Sequence, residues 1–242
     1  MFDLHCHLLP GVDDGAAEVE DALALVRVAI DDGISHMVLT PHVHPGRYDN
    51  TRTSLEPHFA AFSARLKEEG LPLTVSLAGE VRLSAEILQM AAMDDLPFLG
   101  VWEGKKVMLL ELPHSHIPPG SDKLVKWLMS RDIVPMIAHP ERNKDIMNSL
   151  EKITPFVEMG CLFQVTAMSV TNEFGGIAHE RAHQLLERDW VTLIASDAHN
   201  VDRRPPVLSK ARQVVESVYG ADVADKLFVS TPKSIVESGA CL

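Results

Sequence analysis

The sequence predicts an α/β fold in which seven parallel strands form a distorted, TIM-like β/α barrel. Three observations carry this. Seven short apolar runs alternate with amphipathic helical stretches over 242 residues. An apolar content of 46% fills a sizeable core, and α/β barrels commonly reach this length as one unit. No internal repeat, low-complexity tract or composition shift marks a second unit, so residues 1–242 are read as a single domain. An open doubly wound sheet is the alternative.

The elements follow in order. Phe2 to His7 starts the chain as a short strand, and the Pro10-Gly11 and Asp14-Gly15 pairs turn it. Glu18 to Asp32 is an amphipathic helix, with Val19, Leu23, Val26 and Ile30 on one face and Gly33 as its left-handed stop. His36 to Thr40 is a strand ending at Pro41-His42. Ser54 to Glu69 is helical, Leu73 to Ala78 is a strand ending at Gly79-Glu80, and Ser84 to Met93 is helical again. Lys106 to Leu110 is a strand ending at Glu111, with Pro113 as its limit. Then come a helix over Asp122 to Ser130, a strand over Ile133 to Ala138 and a helix over Asp145 to Met159. Cys161 to Val165 is a strand, Ala178 to Arg188 a helix and Val191 to Ala195 the last strand. Val207 to Tyr219 is helical, and Thr231-Pro232 starts a final helix that Gly239 ends.

Bulk properties exclude several classes. A net charge of −12 argues against a nucleic-acid surface, which shows a basic patch or stripe. Cys6, Cys161 and Cys241 form no spaced framework, so a reduced cytoplasm is the expected compartment. The Met-Phe-Asp-Leu-His start has no basic n-region or apolar h-region, and no run of 18 apolar residues occurs; neither export nor a membrane span is expected.

The chemistry gathers at strand ends. His5 and His7 lie at i and i+2, on one face of a strand, and Cys6 between them faces the wall. His42, Glu80, Glu111, His139, Asp197 and His199 follow later strands, and Asp14 lies in the first loop. Strand carboxyl ends of a β/α barrel converge on one face, which makes these nine residues a single candidate metal site. Five imidazoles and four carboxylates exceed the needs of one ion and suit two or three. With no thiolate required, manganese, zinc, iron and magnesium are the candidate ions. No phosphate-cradling glycine loop, no Gly-x-Ser-x-Gly elbow and no cysteine with an arginine six residues on is present, so a metal-activated water is the expected nucleophile. Arg142 and Arg204 are the phosphate-binding candidates, because a guanidinium matches a phosphate face. Arg203 beside them reads as a surface residue. His44, Arg47 and Tyr48 are expected to rim the mouth and touch substrate. His36, His58, His114, His116, His179 and His183 show no comparable pattern and read as structural.

At these residues the sequence resembles the PHP (polymerase and histidinol phosphatase) superfamily. More narrowly it is similar to the bacterial manganese-dependent protein-tyrosine phosphatases of capsule and exopolysaccharide operons, the CpsB/CapC/YwqE type. The matching segments are Asp3-Leu4-His5-Cys6-His7, Val12-Asp13-Asp14-Gly15, Thr40-Pro41-His42, Gly79-Glu80, Glu111-Leu112-Pro113, Ala138-His139-Pro140-Glu141-Arg142, Ser196-Asp197-Ala198-His199-Asn200 and Arg204-Pro205-Pro206. The resemblance implies the PHP fold and a trinuclear manganese site. His5, His7, Glu80 and Asp197 would hold one ion, Glu80 would bridge to a second on Glu111 and His139, and Asp14, His42 and His199 would hold the third. Asp14 stands where many other PHP proteins have histidine, and Arg203 where the branch has a smaller residue. The implied reaction is phosphotyrosine hydrolysis by a hydroxide bridging the ions. The implied partner is a phosphotyrosine-containing protein, the tail of a bacterial tyrosine kinase of polysaccharide synthesis. A PHP phosphoesterase for a small phosphomonoester such as histidinol phosphate, an amidohydrolase and a metal-bound regulatory module are the competing readings.

Overall fold

The computed structural model describes residues 1–239. Among them ten strands form: β1 (Phe2–Cys6), β2 (His36–Leu39), β3 (His42–Val43), β4 (Thr74–Leu77), β5 (Glu80–Arg82), β6 (Gly100–Trp102), β7 (Lys105–Glu111), β8 (Ile133–Ala138), β9 (Leu162–Thr166) and β10 (Leu193–Ala195). Every apolar run named above becomes a strand, and β3, β5 and β6 are additional.

Two of the additional strands are continuations. His36 pairs with Thr74 in β2–β4, and His42 pairs with Glu80 in β3–β5, so the same offset holds on both sides of the gap. Pro41 has no N–H to give the ladder, which interrupts the strand there. Across from it a Cβ on Gly79 would stand 2.6 Å from the Pro97 ring, so the partner strand bends where only glycine fits. His42 and Glu80 therefore sit inside resumed strands rather than in loops after them. The third addition, β6, runs antiparallel to β7 through a two-residue turn, Glu103 and Gly104 at φ 50° and 79°. Positive φ at both central positions is the hairpin turn that matches strand twist.

The parallel neighbours run β1–β2–β4, and β3–β5–β7–β8–β9–β10. The end of β1 meets the segment after β10 through a Cys6–Ala198 bridge. There His7 N–H donates to Ala198 O at 2.8 Å and Asp197 N–H to His5 O at 2.8 Å. The seven strand positions thus form a ring whose ladder is broken in places.

Inside the ring an apolar layer gathers Leu4, Val38, Ala78, Leu109, Met136, Ala138 and Ala195, closed from below by Leu99 and by Ile235 of the last helix. The helices pack outside over a larger apolar shell. The β1–β2 register slips by one residue between Asp3 and Cys6. That bulge puts both Leu4 and His5 on the inner side, and Cys6 falls on the outer wall, its Sγ 3.3 Å from Val38 O.

Two helical expectations change. The stretch 145–159 is not one helix but three short pieces, Lys144–Asn148, Leu150–Ile153 and Thr154–Glu158. Ser149 is extended at φ −151° and breaks the run, Asn143 caps the first piece through Asp145 and Ile146 N–H, and Pro155 opens the third. At the other end, Thr231 is helical and continues from a turn of π-helix at Lys226–Ser230, so Thr231–Gly239 has no separate cap. The wider turn fits the N–H missing at Pro232.

Candidate metal centre

Each donor follows a residue of the apolar layer by one or two positions along the chain: His5 after Leu4, Glu80 after Ala78, Glu111 after Leu109, His139 after Ala138 and Asp197 after Ala195. His139 and Asp197 reach the mouth through left-handed backbone, φ 32° and 53°. Non-glycine residues held there carry strain of about 1–3 kcal/mol, which surrounding contacts must hold. Gly15 returns the first loop against His7, where a Cβ would stand 1.9 Å from His7 O.

The result is a cavity of about 270 Å³ bordered by Asp14, His42, Glu80, Glu111, His139, Asp197, His199, Arg142 and Arg204. His5 and His7 lie fully buried at its base. His5 Nε2 is 3.3 Å from His7 Nε2, and each is 3.4 Å from Asp197 Oδ1 and from a Glu80 oxygen. Donors bound at about 2.0–2.1 Å stand about 3.3–3.4 Å apart, so His5, His7 and Glu80 are spaced to share one ion, with Asp197 Oδ1 at the same distance from both rings. Further groups of close donors are His7, Asp14, His42 and His199; His5, His139 and Asp197; and His42, Glu80 and Glu111. Glu111 thus falls with His42 and Glu80 rather than with His139, because its carboxylate turns to Arg82, 2.8 Å away. His139 Nε2 lies 2.8 Å from Glu80 Oε1.

Three imidazoles have their tautomer fixed from behind. Gln164 Oε1 accepts from His5 Nδ1 at 2.9 Å and from His139 N–H at 3.1 Å. Asp13 Oδ2 accepts from His7 Nδ1 at 2.7 Å and from His42 N–H at 2.9 Å. Asp197 O accepts from His199 Nδ1 at 3.0 Å. Each Nε2 lone pair is left facing the cavity, the arrangement that makes a histidine a ligand. Glu80 Oε2 and His42 Nδ1 lie 2.9 Å apart, yet both lack an aligned hydrogen bond. Buried polar atoms without partners mark a place for a further group.

Burial penalises charge here, and neighbouring charges overturn the penalty. Burial pulls the Asp197 carboxyl up, but His5, Arg142 and Arg204 bring it well below the carboxylate range. Glu80 is likewise lowered against its burial, by His5, His42 and His139. For His42 burial favours the neutral ring, and Glu80 and Asp14 outweigh it, raising its pKa to about 9. His199 goes the other way: burial, then the charges of His7 and Arg204, push it down to about 3. Without a cation, protons on His5, His7 and His42 offset the carboxylates.

Arg142 and Arg204 converge on one atom, Asp197 Oδ2, and both guanidiniums lie near the Phe174 ring, 4.7 and 5.9 Å from its centroid. His44 and Arg47 border the cavity, joined in a tight hairpin in which His44 and Tyr48 exchange backbone hydrogen bonds of 2.9 and 2.8 Å. The Tyr48 ring stacks on His42, 5.5 Å between centroids. Arg203 is exposed and outside the cavity lining.

The family profile for capsular polysaccharide synthesis, CpsB/CapC, matches residues 1–237. The chain belongs to the CpsB/CapC family. Among its relatives, the tyrosine-protein phosphatase YwqE of Bacillus subtilis is 33% identical over 223 residues, covering 92% of this chain and 87% of YwqE. The tyrosine-protein phosphatase CpsB of Streptococcus pneumoniae is 29% identical over 242 residues, 98% of each chain. A solved structure from work on YwqE and CpsB, described as unique metal-dependent tyrosine phosphatases, superposes with a TM-score of 0.91 at 31% identity, over 99% of this chain and 96% of that one. The phosphotriesterase homology protein of Escherichia coli shares the fold at a TM-score of 0.63 and 11% identity, over 97% and 98%.

Within this CpsB/CapC chain, five residues border or support the site that strand-end reading left unassigned. Asp13 and Gln164 orient the histidines. Arg82, two residues after Glu80 on the same strand face, pairs with Glu111. His114, read from sequence as structural, borders the cavity. Phe174 lies beside both arginines. Of these, only Arg82 left a periodic signal, the Glu80-x-Arg82 spacing.

Proposed function

We propose that this chain is a metal-dependent protein-tyrosine phosphatase, one unit spanning residues 1–242, that works in the cytoplasm on the phosphotyrosine tail of a bacterial tyrosine kinase of polysaccharide synthesis. Manganese is the proposed working ion, in two or three sites, with iron, zinc or magnesium as other occupants. The single observation that carries the reading is the meeting of two guanidiniums on Asp197 inside a pocket of eight other metal-ligating side chains. Family relatives named as tyrosine phosphatases support it. No helix among the described residues is long and apolar enough to cross a membrane.

His5, His7, Asp14, His42, Glu80, Glu111, His139, Asp197 and His199 would hold the ions. Bound there, divalent ions supply an acidified water and concentrated positive charge. The side chains do the rest. Asp13, Gln164 and the Asp197 carbonyl keep Nε2 of His7, His5 and His199 turned inward. Asp197 Oδ2 presents Arg142 and Arg204 side by side, and they bind the non-bridging phosphate oxygens and follow their charge in the transition state. His44, Arg47 and Tyr48 rim the substrate. A tyrosine leaving group, with a pKa of about 10, departs with little protonation, which suits a site with no dedicated acid.

Stripping the protein with a chelator and adding back manganese, zinc, iron or magnesium tests this. The expected result is loss of phosphotyrosine-peptide hydrolysis, greatest recovery with manganese, and at least tenfold preference for the peptide over histidinol phosphate. Full activity after stripping sinks the metal reading. Preference for histidinol phosphate replaces the substrate with a small phosphomonoester.

A further inference from the structure

A second cavity of about 440 Å³ opens beside the first, between the helical turn Lys144–Asn148 and the start of the helix Gly176–Glu187. Arg142 and His114 border both cavities, so the two are continuous along one wall. Phe174 forms part of the second one, with the Arg142 guanidinium 4.7 Å from its ring centroid. An apolar surface therefore begins where the proposed phosphate clamp ends. Met147 and Ile177 extend it. Ile177 is 54% exposed, and among the large apolar side chains left exposed in the described residues it alone borders a cavity with Arg142.

The charge around this groove is unlike the rest of the chain. The protein carries 34 acidic residues and a net charge of −12, yet no carboxylate borders the groove, and Lys144, His114 and Arg142 do. Such a surface attracts an anionic partner from which most of the molecule would repel it. A single small phosphomonoester seated at the arginines would leave this surface unfilled. A peptide continuing from a phosphotyrosine would run along it.

We propose that this groove is a specificity subsite for the segment flanking the phosphotyrosine, selecting a segment that bears an apolar side chain for Ile177 and Phe174 and a carboxylate for Lys144. The assignment rests on the phosphatase reading above and adds the substrate's flanking chemistry. It makes Lys144 and Ile177 binding residues that leave turnover at the metal centre untouched.

The test compares three substrates on the metal-loaded full-length protein: a phosphotyrosine peptide with Glu and Leu flanks, one with Lys and Gly flanks, and para-nitrophenyl phosphate. Wild type is expected to show a KM about tenfold lower for the Glu/Leu peptide than for the Lys/Gly peptide at similar kcat. Lys144→Glu and Ile177→Ser should each raise the Glu/Leu peptide KM five- to tenfold, keep kcat, and leave para-nitrophenyl phosphate kinetics unchanged. Equal KM for the two peptides overturns the subsite, as does a parallel change for all three substrates in the variants. Loss of a concentration-dependent dimer in Ile177→Ser with peptide KM intact assigns the groove to a second copy of the chain instead. Hydrolysis of para-nitrophenyl phosphate with neither peptide turned over points to failure of the phosphotyrosine-protein reading itself.

Discussion

The inner face of the strands has two storeys with opposite chemistry. Leu4, Val38, Ala78, Leu109, Met136 and Ala195 make a dry floor, and a step above them His5, His42, Glu80, Glu111, His139 and Asp197 make an ionic mouth. The floor lowers the local dielectric and so strengthens every charge interaction above it. It also withholds water from the carboxylates, which must then be satisfied by imidazoles, guanidiniums or cations. The floor contributes stability, whereas the mouth concentrates charge that the fold alone would not choose.

Mutations at the two storeys should therefore separate catalysis from folding. The largest effect is expected for Asp197→Ala, which removes a proposed metal donor and the anchor of both arginines. Phosphotyrosine-peptide kcat should fall about 10³-fold, with reduced bound metal by elemental analysis and a native far-UV spectrum. An unchanged rate would remove Asp197 from the mechanism. Leu109→Ala, one step below Glu111, should cost about 2–5 kcal/mol in urea unfolding through the cavity it leaves. Metal per folded molecule should stay at the wild-type value; a loss would show that the floor also shapes the donors.

Asp13→Asn tests the layer behind the histidines. Weakening the charge behind His7 should lower metal affinity about 10–100-fold in a chelator competition, as loss of such outer partners does elsewhere. The smallest effect concerns pH. His42 has a folded pKa of about 9 against an ordinary 6.5, so its protonation stabilises the metal-free fold fully below pH 6.5 and is lost as pH rises to 9. Melting of chelated protein should drop by roughly 5 °C across that window. Where His42 holds an ion, as proposed, its ring is already neutral in the metal-loaded protein, and the drop should vanish. Parallel pH curves for both forms would show that His42 does not meet the ion.

Much of this arrangement is legible in the chain. Apolar runs gave the strand positions, and the donor just past each run gave the mouth, because parallel strand ends must converge. What sequence could not show is where regularity breaks. The bulge that turns Leu4 and His5 the same way depends on pairing with β2, a contact more than thirty positions away. Pro41 reads as an end, although the register with β5 carries the strand through it. Gln164 lies in a strand buried on both faces, where alternation gives no sign of which side a residue takes. Phe174 sits in the loop between the helices Ala167–Val170 and Gly176–Glu187, and only the folded chain brings it to Arg142. Ser149 ends a helix that apolar spacing would have continued.

The slipped register of the first strand has one more consequence. It sends the Cys6 sulfur into the wall, fully buried, and burial drives its thiol pKa well above normal. Cys161 is also buried, its thiol pushed up to about 12. Peroxide and alkylating reagents silence enzymes that attack phosphate with a low-pKa sulfur. Among the described residues they find no such target here, because both sulfurs are buried and held as neutral thiols.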